Sequence, residues 1–173
     1  ESRGLGDVYK RQKGRCELPS NAYGIGAWDH HIKIVYELAK KNASEYGANQ
    51  EIVSLAALLH DVASVTDVTY TEEHHIIGAK IAEELLLQEN YPIEKIEQIK
   101  KCILNHRGSR LASKNSPEEI CIADSDAMAH FYSIPSLLSM VYREKNLSID
   151  EGSKFVMEKL ERSYNKMSTC LLY

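Results

Sequence analysis

No stretch of the 173-residue sequence approaches the ~18–20 consecutive apolar residues of a membrane span. No charged leader with an apolar h-region stands at the start. A basic stripe is missing too, and the formal net charge of −4 offers no electrostatic footprint for a nucleic acid duplex. The four cysteines, Cys16, Cys102, Cys121 and Cys170, are scattered, with no CxxC and no dense framework. Cys102 and Cys121 fall within helical patterns and read as buried thiols of a reducing cytoplasm, where the protein is expected. Internal repeats, low-complexity tracts, strand-like alternation and nucleophilic triad motifs are absent from the pattern. What is present is 43% hydrophobic and 27% charged residues at single-domain length, enough to bury a core. The expectation is an all-α protein, a compact single-domain helical bundle.

Both ends stand apart. Residues 1–12, ESRGLGDVYKRQ, resemble a translated sequencing-library adaptor, and 169–173, TCLLY, resemble the start of a similar read-through. They are expected to be an adaptor-like or disordered leader and an adaptor-like tail around a helical domain over 13–168. Within that domain, 13–27 carry Pro19, Gly24 and Gly26 and read as an irregular lead-in.

The chain is organised around His60-Asp61, at the end of the apolar run Ile52 to Leu59. Val53, Ala56, Ala57 and His60 recur at the spacing of one helical face. A helix that presents an imidazole and a carboxylate at the edge of a core needs partners or a metal, because an unpaired charge there is expensive. Imidazole with carboxylate suits zinc, iron, manganese or nickel.

Other helical patterns carry the same kind of residue. Trp28 to Glu45 reads as a helix with His31, Ile34, Val35 and Leu38 on its apolar stripe and His30 one position round. By itself His31 reads as a hydrogen-bonded core histidine. Val62 to Tyr70 is rich in Ser, Thr and Asp and reads as a loop, after which Thr71-Glu72-Glu73 opens a helix running to Gln88. His74 and His75 fall on neighbouring inward faces of it, and Gly78 leaves space beside His74. Ile93 to Leu104 is amphipathic and ends at His106, again on the apolar face, with Arg107 and Arg110 in the polar loop that follows. Ser116-Pro117-Glu118-Glu119 is a strong helix start. The helix from Glu118 to Tyr132 is apolar nearly all round, so Asp124 and Asp126 within it require cations, and Arg107 and Arg110 are nearest in sequence. Residues 133–168 read as core and cover, with a capping box at Ser148 to Glu151.

The pieces DHHIKIVYELA, LAALLHDVA, HHIIGAKIAEELL, ILNHRG and ADSDAMAHF together resemble the HD-domain superfamily of metal-dependent phosphohydrolases, over about residues 28–132. The resemblance implies metal ligands at His31, His60, Asp61 and Asp126. Asp126 is preferred to Asp124 because it stands two before Met128. His74 and His106 extend the set to the six-ligand, dinuclear branch, in which Asp61 bridges two metals. Asp61 and His60 are then the catalytic pair, with Asp124 and His75 supporting the ligands from behind. Many relatives follow the doublet with Gly and a basic residue that meets substrate phosphate; Val62-Ala63-Ser64 supplies none, and Arg107, Arg110 or Lys80 is expected to replace it.

The function so implied is hydrolysis of a nucleotide or other small phosphoester by metal-activated water, with one or two divalent ions (Mn, Fe, Mg, Ni, Zn or Co) as cofactors. Two alternatives share the ligand set: a di-iron oxygenase, and a regulatory metal- or ligand-binding module without turnover. The expected partner is a phosphorylated small molecule, with no nucleic acid duplex and no membrane.

Overall fold

A computed structural model describes residues 3–24, 26–107 and 116–168. The protein is all-α, and its central element is α3 (Gln50–Leu59), which carries the His60-Asp61 doublet on its C-terminal end. Asn49 caps α3 by accepting from the backbone N–H of Glu51 (3.0 Å) and Ile52 (3.2 Å). Every residue from Ile52 to Leu59 is buried, against α1 (Arg3–Cys16), α2 (Lys33–Asn42), α6 (Ile93–Asn105) and α7 (Pro117–Tyr132). Truncating a fully enclosed leucine such as Leu55, Leu58 or Leu59 to alanine costs about 2–5 kcal/mol. That makes α3 a rigid mount for the doublet.

The remaining helices close around this mount. Ser116 caps α7 through the Glu119 N–H with Pro117 at the first turn, as the sequence signals. A 15-residue helix, α5 (His74–Gln88), packs on α6. At Gly78 the two helices are close, and a Cβ there would stand in ordinary contact, 3.5 Å from Ile103 and 3.7 Å from the His60 carbonyl oxygen. A short α8 (Ile134–Ser139) leads to α9 (Ile149–Lys166), which packs across α7. The expected capping box at Ser148 and Glu151 starts α9.

Several local expectations are corrected. Val62 to Tyr70 is not an open loop: Val62–Thr66 form a short helix, α4, and Val68–Tyr70 a 3-10 turn. Hydroxyl groups within and beside it bond the backbone. Thr66 donates to the Val62 carbonyl (2.7 Å) and Ser20 to the Thr66 carbonyl (2.6 Å), leaving Val62 to Val65 buried. The α5 helix starts at His74, three residues later than its acidic lead suggests. The helix expected from Trp28 to Glu45 begins as a π-helical turn, Trp28–Ile32, and ends at Asn42. The α1 helix crosses the expected boundary at residue 13, with Leu5, Val8 and Gln12 buried and Tyr9 edge-on to Trp28 at 4.7 Å. Among the described residues no helix is long and apolar enough to cross a membrane. Cys16, Cys102 and Cys121 are free and buried, as expected for the latter two.

Candidate metal centre

Five elements deliver polar side chains to one enclosed point: the π-turn before α2, the α3 end, the α5 start, the α6 end and α7. His60 is fully buried, and Asp61, His74, His106 and Asp126 are each less than a tenth exposed. They fall into two trios, His31–His60–Asp126 and Asp61–His74–His106, each with its donor atoms within 4.8 Å of one another. Asp61 joins them. Its Oδ2 lies 3.3 Å from Nε2 of both His31 and His60, while its Oδ1 lies 3.5 Å from Nε2 of His74 and 3.8 Å from that of His106.

The imidazoles are oriented by a shared local device. Nδ1 of His60, His74 and His106 donates to the carbonyl three residues earlier, of Ala57 (2.7 Å), Thr71 (2.7 Å) and Ile103 (2.6 Å). A carbonyl only accepts, so Nδ1 carries the hydrogen and a neutral ring presents its Nε2 lone pair inward. His74 and His106 then face each other at 3.3 Å with two acceptors and no proton between them. His31 and His60 meet through their Nε2 atoms at 3.2 Å, with Asp61 Oδ2 facing both. Acceptors and carboxylates crowded together in a buried space need a cation, and this donor set suits a borderline divalent ion. The residues present therefore fit the metal expected from sequence.

The protonation pattern follows from burial and neighbours. Burial works against a charge on His60, but Asp61 beside it prevails and holds the metal-free imidazole up at about 9. Asp61 itself is buried, yet His60 and His31 hold its carboxyl well below the usual range. His106 is pushed down to about 3 by burial and by the His60 charge. Asp126, although buried, is held well below the carboxylate range by Lys166 and His130.

Two of the expected supporting residues behave differently from one another. His75 is half-buried with its ring edge-on to His74 at 5.8 Å. Asp124 turns away from the ligands: it accepts from the Tyr46 hydroxyl (2.7 Å) and from the Ser168 N–H (2.9 Å) and hydroxyl, tying α7 to the end of α9. Of the expected phosphate-binding residues, the two that are described, Lys80 and Arg107, are exposed. Lys80 lies roughly 120° round α5 from His74. Arg107 stands at the rim, donating to the Glu72 carbonyl at 2.7 Å. Arg110 lies outside the described residues. On α7, Asp126 accepts at Oδ2 from Lys166, at 2.6 Å.

Sequence reasoning missed His130 and the face of α9 that covers it. His130, one turn after Asp126, stacks on His31 (centroids 5.3 Å, 12° apart) and brings Nε2 to 3.8 Å from Asp126 Oδ1. Its Nδ1 bonds Ser163 on α9 at 2.9 Å, and burial holds it neutral, down to about 2. Lys159 and Lys166 flank Ser163 on the same face of α9. Burial lowers Lys159 below the ordinary lysine value, with Asp126 and Asp61 pulling the other way. Tyr23 faces Asp61, and burial and that carboxylate raise its hydroxyl well above its ordinary value. The i+4 spacing of His130 from Asp126 was a signal available in sequence. Nothing local pointed to Lys159, Ser163 or Lys166.

Comparison with known proteins bears on the family and the fold. The family described as HD domain matches residues 28–130, which contain all six ligand candidates. Ribonuclease Y of Petrotoga mobilis is 31% identical over 116 residues, covering 67% of this chain and 20% of that protein. Ribonuclease Y of Chloroflexus aurantiacus is 39% identical over 64 residues, 37% of this chain and 12% of that protein. The chain thus spans about a fifth or less of the length of these relatives. A crystal structure of a predicted HD superfamily hydrolase from an uncultured Thermotogales bacterium superposes with a TM-score of 0.54 at 20% identity, over 92% of this chain and 85% of that one. That likeness is one of fold.

Proposed function

The chain belongs to the HD domain family, and from that premise we propose that it is a metal-dependent phosphohydrolase acting on a nucleotide or other small phosphoester. The observation that carries the proposal is Asp61, whose two oxygens each address a different pair of imidazoles. His31, His60 and Asp126 would hold one divalent ion, and His74 and His106 a second, with Asp61 between them. The chemistry such ions supply when bound is a water-derived nucleophile at neutral pH and polarisation of a phosphoryl oxygen.

The protein's own part is orientation. The Ala57, Thr71 and Ile103 carbonyls fix the tautomers of three ligands, so that no rearrangement is needed on binding. Lys166 engages Asp126 Oδ2 and leaves Oδ1 facing His31 at 3.5 Å. The Tyr23 hydroxyl keeps its proton and offers a donor beside Asp61. Phosphoryl transfer needs in-line positioning and charge stabilisation more than covalent catalysis, so no serine or cysteine nucleophile is required.

A second reading concerns the substrate. The curated relatives are named ribonuclease Y, which favours including an RNA phosphodiester among the candidates. The test is metal analysis of protein purified with and without oxygen, followed by phosphate release from nucleotides, phosphomonoesters and short RNA. Metal-dependent release, absent in Asp61→Ala, is expected. Iron with oxygen-dependent substrate loss and no phosphate release would instead identify the oxygenase alternative, and metal binding without any turnover the regulatory one.

A further inference from the structure

The two trios are held in place by different means. His60, His74 and His106 are each tethered locally, Nδ1 donating to the carbonyl three residues earlier at 2.6 or 2.7 Å. His31 and Asp126 are not. Among the described residues, every polar contact of the His31 ring is made through Nε2, to His60 (3.2 Å), Asp61 (3.3 Å) and Asp126 (3.5 Å). Its other nitrogen therefore lacks the acceptor that ordinarily orients a ligating imidazole. Asp126 is buried within α7, and among the described residues Lys166 is its one hydrogen-bond donor.

Both untethered ligands are reached from one face of α9. Lys166 brings Nζ to 2.6 Å from Asp126 Oδ2, and the two side chains are only 12% and 9% exposed. A charge-assisted bond so shielded from water fixes the carboxylate plane. With Oδ2 engaged, Oδ1 is left facing Nε2 of His31 at 3.5 Å and of His60 at 3.9 Å. Three residues before Lys166, the buried Ser163 bonds Nδ1 of His130 at 2.9 Å. His130 in turn lies flat on His31, with the rings 12° apart and their centroids 5.3 Å apart. Ser163 thus fixes His130, and His130 fixes the plane of His31. The second trio has its imidazoles on other elements, His74 at the start of α5 and His106 at the end of α6, while α9 packs on α7 and α8.

We propose that α9 is a working part of the metal site. Lys166 is a positioning residue for Asp126, Ser163 acts through His130 as one for His31, and of the two ions only that of the His31–His60–Asp126 trio depends on them. The inference rests on the metal-centre reading above.

The rival role for Lys166 is that of a counter-charge for a buried carboxylate. An ammonium this close to a bound cation repels it, so removing a mere counter-charge would tighten metal binding. Removing a group that orients a ligand has the opposite sign, typically a 10- to 100-fold loss of metal affinity.

The experiment titrates manganese by calorimetry into the metal-free full chain, with helicity recorded for each protein. Two backgrounds separate the sites: His106→Ala leaves the first trio whole, and His31→Ala leaves the second. In the first background Lys166→Met should weaken manganese binding roughly 10- to 100-fold. Lys166→Arg, which keeps the charge and the donor, should stay near its parent, and Ser163→Ala should show a smaller loss. In the second background all three substitutions should leave binding unchanged. If Lys166→Met loses helicity, Ser163→Ala carries the comparison, since it leaves no buried charge unpaired. Binding that is unchanged or tighter in a folded Lys166→Met, or equal losses in both backgrounds, overturns the positioning role while leaving the metal centre standing. A wild type that takes up no manganese overturns the metal-centre reading and this inference with it.

Discussion

Replacing Asp61 with asparagine keeps the volume and removes the charge that four imidazoles face. In the metal-free protein the first casualty is His60. Burial alone would depress this imidazole, and Asp61 is the leading influence that lifts it from 6.5 to about 9. At about 1.4 kcal/mol per pKa unit, that lift corresponds to about 3 kcal/mol of coupling. This agrees with the ~3–5 kcal/mol lost when one partner of a buried pair is removed. For a chain of this length about 1 kcal/mol moves Tm by about 2–4 °C, so Asp61→Asn in EDTA should melt roughly 6–12 °C below wild type. The metal response is the sharper discriminator. A site saturated at about a hundred times its Kd stabilises by about 2.7 kcal/mol, a rise of roughly 5–10 °C for wild type. The variant should show no rise. Thermal melts by circular dichroism, with EDTA or manganese and with metal content measured in parallel, read both quantities. An Asp61→Asn protein that keeps its metal complement and its manganese-dependent rise would refute the bridging assignment.

Two further outcomes are expected. His106→Ala should bind one metal where wild type binds two, because it removes a donor from the Asp61–His74–His106 trio and leaves His31–His60–Asp126 complete; one metal per chain in both proteins would mean a single-ion centre. In EDTA, urea unfolding across pH 4.5–9.5 should show greatest stability near pH 6.5. Below that value the unfolded chain gains protons that His106 (about 3) and His130 (about 2) refuse in the folded state, and above it the folded state progressively loses the His60 proton (about 9) that Asp61 stabilises. Stability rising steadily from pH 6.5 to 9 would contradict the assigned His60–Asp61 pair.

Much of this was readable along the chain because the relevant signals are local. The apolar run into His60, the cap at Asn49, the Ser116-Pro117 start and the Ser148–Glu151 box each involve residues within about one turn of one another. The helices they delimit are those observed. Where the reading slipped, composition concealed a tertiary commitment. Ser64, Thr66 and Thr69 made Val62 to Tyr70 look like a loop, but Thr66 and Ser20 bond main-chain carbonyls and let α4 sit against the core. The choice between His74 and His75, open in the helical pattern, is decided by a contact across helices: His74 Nε2 meets His106, and His75 does not enter either trio.

The residues missed at the centre share a different property, which is that their partners are far away in sequence. Asp126 required a cation, and the nearest arginines were the reasonable candidates. Lys166, 40 residues later, is the one that arrives. Ser163 reaches His130 across 33 residues. On an exposed helix a Lys–Ser–Lys face would be ordinary solvated surface. Its meaning here comes from α7 lying beneath it, for a helix apolar nearly all round but bearing Asp124, Asp126 and His130 must be covered by something polar. The same demand explains Asp124, which the sequence marked as abnormal and which Ser168 and Tyr46 satisfy away from the ligands. Three buried polar groups on α7 are therefore answered from α9 or its extension, Asp124 by Ser168, Asp126 by Lys166, and His130 by Ser163.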